Sequence, residues 1–166
     1  MSAPIRVLTV FQPWASLIMV GAKPYEFRSK RPPSTILNQR IVIHAAARKI
    51  VEAEVRDILL MIGRGGEAAA ETCLRPLPAA PILDRALGIG EPLPLGCGLG
   101  TAICGEGRSG YDIAEEFGAE HVNDSDRDDH ANFGWPMTDI EIWPEPIAAR
   151  GSQGIWFWPT PLGAGL

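Results

Sequence analysis

Alternating apolar and polar residues mark the strands in the first third of the chain. Segments rich in β-branched and aromatic residues predict β-strands over Arg6–Phe11, Tyr25–Lys30 and Gln39–Ala46. Within the second strand, Tyr25 and Phe27 point to one face. Its other face carries the charged side chains of Glu26, Arg28 and Lys30. We therefore expect a half-buried strand whose charged face is exposed.

Apolar residues at three- and four-residue steps predict the first helices. A two-turn helix is expected over Pro13–Val20, because a proline in the first turn loses no hydrogen bond and Gly21 can end the helix. The strongest helical pattern covers Arg48–Ile62. Residues 65–95 are rich in Ala, Pro and Gly, so we expect a loop there with one short helix around Glu67–Cys73.

The second half of the chain predicts shorter elements. Strands are expected over Leu99–Cys104, Thr138–Trp143 and Gly154–Trp158. An acidic helix over Asp112–Glu120, capped by Asp112, precedes a polar loop over Asn123–Asn132. Short strands interleaved with helices, without a regular βαβ rhythm, indicate an α+β fold, a small mixed β-barrel with two to three flanking helices. We expect a single domain over 1–166, with variable loops around 65–95 and 118–132.

The net charge of −5 argues against an anionic ligand, but the charges are unevenly distributed along the chain. Residues 1–64 hold ten Lys and Arg against four Asp and Glu, whereas the remainder holds five against sixteen. This asymmetry indicates one positive face on an acidic body, suited to a short or single anionic ligand. The alternative is a scatter of solvated charges.

The apolar runs and the cysteines indicate the cellular compartment in which the protein is expected. No apolar run approaches the ~20 residues of a membrane span, and the first residues lack the features of a signal peptide. Three cysteines without a CxxC pair predict neither a disulfide framework nor a zinc site. We therefore expect a cytoplasmic protein with no cofactor and no metal.

Three charged residues, Lys23, Glu26 and Arg28, form the first candidate site. Lysine and arginine can bind phosphate, and a carboxylate between them can accept from an exocyclic amine of a base. Trp14 adds a stacking surface, and His44 lies on a neighbouring strand as a hydrogen-bond donor or as a structural residue. The alternative is that Glu26 pairs with Lys23 or Arg28 only to balance charge.

The same region resembles the opening of ASCH domains, which are PUA-like barrels. The matching segments are QPWASLI at 12–18, GAK at 21–23 and EFRS at 26–29. Weaker similarity continues through RIVIHA at 40–45, LGCGLG at 95–100 and GSQGIW at 151–156. The resemblance implies a barrel with a cleft beside the first helix and a role connected with nucleic acid.

Three functions follow as hypotheses. The first is binding of RNA or a modified nucleoside or nucleotide, with a ligand site formed by Gln12, Trp14, Lys23, Glu26, Arg28 and His44. The second is hydrolysis of RNA or an acylated nucleoside, with Lys23 and Glu26 as catalytic residues; some relatives are enzymes of these kinds, but Glu26 stands where the amidohydrolases have threonine. The third is a protein-interaction module in transcription or translation.

An acidic tract near residue 125 partly matches the pattern of a cation-binding loop. His121 and His130 flank Asp124, Asp126 and Asp128, and this spacing begins like a calcium loop. The loop then departs from that pattern, since Asp129 replaces its glycine and Trp135 its final glutamate. A solvated acidic loop is the favoured interpretation.

Overall fold

The computed structural model describes residues 3–122 and 131–159. Its strands are β1 (Arg6–Val10), β2 (Tyr25–Arg28), β3 (Gln39–Ala45), β4 (Cys97–Cys104), β5 (Arg108–Ser109), β6 (Phe133–Ala148) and β7 (Ile155–Phe157). Its helices are α1 (Trp14–Met19), α2 (Glu52–Arg64), α3 (Gly66–Glu71), α4 (Pro76–Ala86) and α5 (Gly110–Phe117). The predicted α+β class is confirmed.

Six strands form one sheet in the order β2-β6-β4-β3-β1-β7, and β5 pairs with β6 beside this path. Strands β1 and β3 are parallel, whereas the other pairs are antiparallel. The sheet curls into a half-barrel, as the predicted barrel required. The curl brings β2 back towards β1. The two strands are close enough for Nη2 of Arg28 to donate to the carbonyl oxygen of Thr9 at 3.3 Å.

The helices differ from the prediction in number and place. Two to three flanking helices were expected, but five lie in the described residues. Helix α3 corresponds to the short helix expected around Glu67–Cys73, whereas α4 occupies a region expected to be loop. Helix α4 begins at Pro76, and it buries four apolar residues, Ala79, Ile82, Leu83 and Ala86. A loop was expected there because of the prolines. The first turn of a helix tolerates Pro76 and Pro78, but Pro81 lies inside α4, where burial of the apolar face outweighs the lost hydrogen bond.

Two apolar clusters meet at α1 and hold the helices in place. Ile18 packs with Leu8 and Ile43 in the core inside the sheet. Leu17 packs on the other side with Val55 of α2 and Leu83 of α4. Helix α1 is therefore sandwiched between the sheet and the other helices, and this position fixes α2 over one end of the sheet. No helix in the two described ranges combines the length and apolar character needed to cross a membrane.

A polar cluster connects α5 to the rest of the fold. Ser109 caps this helix, not Asp112 as predicted, by accepting from the N–H of Tyr111. Arg108 is ion-paired with Glu116, and the Tyr25 hydroxyl donates to Glu116 Oε2 at 3.0 Å. The hydrogen bond from Arg108 lowers the pKa of Glu116, while burial raises the pKa of Tyr25. Glu116 therefore links β2 to α5 in its ionised form.

This cluster predicts a small pH dependence of stability. Because the folded-state pKa of Glu116 is depressed, its contribution is present above the ordinary value of 4.5 and is lost as pH falls through the lower folded-state value. Glu116→Gln should remove up to about 1 kcal/mol at neutral pH and flatten the acid limb of urea stability curves. Glu115→Gln, on the same helix, is the matched control; equal effects of the two variants would contradict this role.

Candidate functional site

A cleft of about 1650 Å³ opens at one end of the sheet. Its floor is formed by β2 and by the carboxyl ends of β1 and β3, which lie together because these two strands are parallel. Helix α2 forms one wall, and residues 148–154 form another. Charged side chains of both signs and three aromatic residues line it: Phe11, Trp14, Glu26, Phe27, Arg28, Arg48, Glu54, Asp57, Arg64 and Arg150.

Glu26 lies in the cleft floor between two cations. Its Oε1 is 3.2 Å from Nε of Arg28, and its Oε2 is 3.9 Å from Nζ of Lys23. The Glu26 side chain is 10 % exposed and that of Arg28 is 35 % exposed. The face of β2 that was expected to be exposed is therefore largely covered, and the pair is accessible only through the cleft.

Lys23 lies below this floor. It is 1 % exposed, and its ammonium group lies 4.8 Å from the centre of the Phe27 ring. The chain enters this position directly after α1, where Gly21 adopts a left-handed conformation with φ of 75° and the N–H of Lys23 bonds to Leu17 O. Lys23 is not among the residues that line the cleft in the described part of the chain. It contacts Glu26 from behind and supports it.

Arg28 retains hydrogen-bonding capacity. Its Nε donates to Glu26 and its Nη2 to Thr9 O, so two of its three nitrogens are held by protein. Its guanidinium carbon is 5.8 Å from the centre of the Trp135 ring. Because the side chain is fixed by three neighbours while remaining in the cleft, it can present Nη1 to a ligand in a defined orientation.

His44 is held by hydrogen bonds on both ring nitrogens. Nε2 lies 2.8 Å from Ala149 O, and a carbonyl only accepts, so Nε2 carries the proton. Nδ1 lies 3.3 Å from Oγ1 of Thr9, which in turn accepts from Nε1 of Trp156 at 3.0 Å. Gly151 passes so close that an added Cβ would lie 2.6 Å from the His44 ring. The arrangement holds the 148–154 wall against β3.

The two remaining predicted ligand residues, Gln12 and Trp14, are placed differently. Gln12 is 2 % exposed, and its amide donates to Ser16 Oγ at 2.8 Å and Pro94 O at 3.0 Å. Its Oε1 accepts from the Ser16 N–H, so this side chain fastens the start of α1 and does not line the cleft. Trp14 is half-buried and lines the cleft.

Several cleft residues were missed by the sequence analysis. Phe11 had been taken as the end of a strand, and Arg48 as the start of a helix, yet both line the cleft. Arg64 and Arg150 line it from different segments and are exposed, and neither makes an ion pair with another described residue. The signal available was the basic excess of residues 1–64, which supplies three of the four cleft arginines.

Most of the acidic tract that resembled the start of a calcium loop lies outside the described residues. Asp124, Asp126, Asp128, Asp129 and His130 all fall within residues 123–130. His121 is described, and its Nε2 lies 3.5 Å from Glu71 on the surface. Across the two described ranges, no three His, Cys, Asp or Glu side chains cluster as metal ligands do.

The buried cysteines offer no nucleophile to this cleft. Burial raises the pKa of Cys97, and it raises that of Cys104 to about 11. A thiol with so high a pKa remains protonated and inert at neutral pH.

Comparison with known families gives one match. Residues 8–78 match the family model of the ASCH domain. The matched segment runs from β1 into α4, and it includes all six predicted ligand residues, whereas the wall at 148–154 lies outside it. The α+β class and the curled sheet agree with the PUA-like fold that the resemblance implied. No curated protein matches the chain.

Proposed function

We propose that this chain, whose residues 8–78 match the ASCH domain family model, binds RNA and holds one unstacked nucleotide in the cleft against Glu26, Arg28 and Trp14. The family match suggests RNA as the partner, and the cleft supplies groups of the kind that single-stranded RNA requires. Proteins read such RNA by stacking its bases on aromatic or guanidinium planes and by bonding to their edges.

The observation that carries this proposal is the partly exposed Glu26–Arg28 pair. Glu26 can accept a hydrogen bond from an exocyclic amine, as carboxylates do with cytosine. Arg28 can donate from Nη1 to a base edge or a phosphate without giving up the two bonds that position it. The hydrogen bond between the two side chains holds a carboxylate acceptor beside a guanidinium donor, an arrangement suited to the alternating polar edge of a nucleobase.

The cleft arginines support a short contact with the RNA backbone. Arg64 and Arg150 are exposed on different walls of the cleft and can neutralise phosphates next to a bound base. The cleft also contains Glu54 and Asp57, so its surplus of positive charge is small. This balance favours a few phosphate contacts over a long basic groove that follows a duplex.

Fluorescence anisotropy with labelled RNA over a range of NaCl concentrations tests the proposal. We expect a single strand to bind roughly tenfold more tightly than a duplex of the same sequence, because only unpaired bases can enter the cleft. The slope of log K against log salt should be near −1.4 to −2.1, roughly −0.7 for each of two or three phosphates. Equal affinity for duplex, or no binding of either, would contradict the proposal.

The hydrolase hypothesis receives less support from the geometry. A catalytic amine must contact its substrate, but Lys23 is 1 % exposed and lies behind Glu26. Lys23 contacts Glu26 from behind and does not line the described part of the cleft, where a substrate would lie. Binding without turnover is the simpler use of this arrangement.

A further inference from the structure

Phe11 is an exposed aromatic residue at a position where its neighbours are buried. Its exposed fraction is 48 %, whereas Val10 is 4 % exposed and Gln12 is 2 % exposed. The ring follows the last residue of β1 and lines the cleft. A large apolar side chain left in water forgoes the stabilisation that burial would give. Within a cleft, such a ring is a surface for a planar ligand.

Arg48 covers part of this ring and is itself held in place. Its guanidinium carbon is 4.3 Å from the centre of the Phe11 ring. Its Nη2 donates to both carboxylate oxygens of Glu54, at 2.9 and 3.1 Å. Phe11 follows β1, Arg48 follows β3, and Glu54 belongs to the first turn of α2. Three separate elements therefore fix one aromatic–guanidinium stack.

The cleft is larger than one nucleotide needs. Its volume of about 1650 Å³ exceeds the roughly 300–1,000 Å³ of sites that enclose a single small ligand. The cleft contains two separate stacking surfaces, Trp14 and the Phe11–Arg48 pair. The size of the cleft and its second aromatic surface leave room for a base beside the one held by Glu26 and Arg28.

We propose that Phe11 and Arg48 form a second base-binding subsite, which stacks the nucleotide adjacent to the one held by Glu26 and Arg28. This inference rests on the proposed function and extends it, because the ligand becomes a strand of at least two nucleotides and not a free nucleoside. The base stacks on the open part of the Phe11 ring, and Arg48 supports the ring and offers its remaining donors to the intervening phosphate.

Isothermal titration with cytidine 5′-monophosphate and with tetracytidylate tests the subsite. The wild-type protein should bind the tetranucleotide more tightly than the mononucleotide. Phe11→Ala should weaken tetranucleotide binding roughly tenfold, as removal of a stacking aromatic does, and leave mononucleotide binding unchanged. Arg48→Ala should act in the same direction. The tetradeoxynucleotide should show the same loss in Phe11→Ala, since stacking does not depend on the sugar.

Phe157→Ala is the matched control. Phe157 is 51 % exposed and lies 4.7 Å from the Arg6 guanidinium carbon, but it lies on β7 and does not line the cleft. Its replacement should leave both affinities unchanged. Equal affinity of wild-type protein for the two ligands, or an equal loss of both in Phe11→Ala, would overturn the subsite while leaving RNA binding intact. Failure of wild-type protein to bind either ligand would overturn the proposed function itself.

Discussion

Arg28→Ala is expected to weaken binding of single-stranded RNA by about ten- to one hundredfold, the range of 1–3 kcal/mol typical of a specific arginine contact. Two effects act together. The variant loses the cation that pairs with Glu26 on the cleft side, and it leaves the Glu26 carboxylate less neutralised towards the phosphates of the ligand. Fluorescence anisotropy at a fixed, moderate salt concentration would measure the loss.

Arg56→Ala separates this effect from a change in net charge. Arg56 lies on α2, pairs with Glu52 at 3.1 Å and does not line the cleft. The two variants remove the same charge, so only a loss specific to Arg28→Ala supports the site. Circular dichroism must show that Arg28→Ala remains folded, because Arg28 also bonds to Thr9 O. A folded Arg28→Ala variant with wild-type affinity would remove Arg28 from the proposed site.

Gly100→Ala is expected to lower the free energy of unfolding substantially. A Cβ at Gly100 would lie 2.2 Å from the carbonyl oxygen of Glu141 and 2.7 Å from Cε of Met19. Met19 could move, but the carbonyl belongs to β6, which pairs with β4 around this position. Relief of the clash requires these central strands to separate locally. We expect the free energy of unfolding to fall by roughly 3 kcal/mol, the upper end of ordinary overpacking, in urea denaturation.

Gly63→Ala makes the same chemical change where there is space. Gly63 lies in α2, and an added Cβ would meet nothing within 4 Å. Alanine favours a helix over glycine by about 0.5–1 kcal/mol, so this variant should be slightly more stable than wild type. If Gly100→Ala unfolded at the wild-type urea concentration, the close pairing of β4 and β6 at this point would be wrong.

Much of the fold was predictable because local patterns dominate it. Helix α2 follows apolar periodicity closely, since one of its faces packs on the core, and β2 begins at the predicted residue although both of its faces are covered. The predictions failed where proline dominates the composition. Helix α4 contains three prolines, and β6 runs through Pro136, Pro144 and Pro146 as one strand of 16 residues. In both elements tertiary packing overrides a weak local preference.

The site was only partly predictable, because alternation reports the face of a side chain and not its depth. The pairing of Glu26 with Arg28 follows from their spacing on one strand. The burial of Lys23 depends on how the chain leaves α1 and on the ring of Phe27. The exposure of Phe11 depends on where β1 ends relative to β3. Both facts depend on how separate elements pack together, which no local pattern encodes.

Because Arg28 donates a hydrogen bond to the Thr9 carbonyl, its side chain has both a proposed binding role and a structural role. The guanidinium that meets the ligand also joins β2 to β1 across the open side of the half-barrel. A replacement of Arg28 that changes the base preference therefore also removes a contact that maintains the curvature of the sheet. The need to keep this contact limits which residues can replace Arg28. Phe11 lies beyond the end of its strand and carries no such constraint. New ligand preferences can arise at Phe11 without cost to the shape of the molecule.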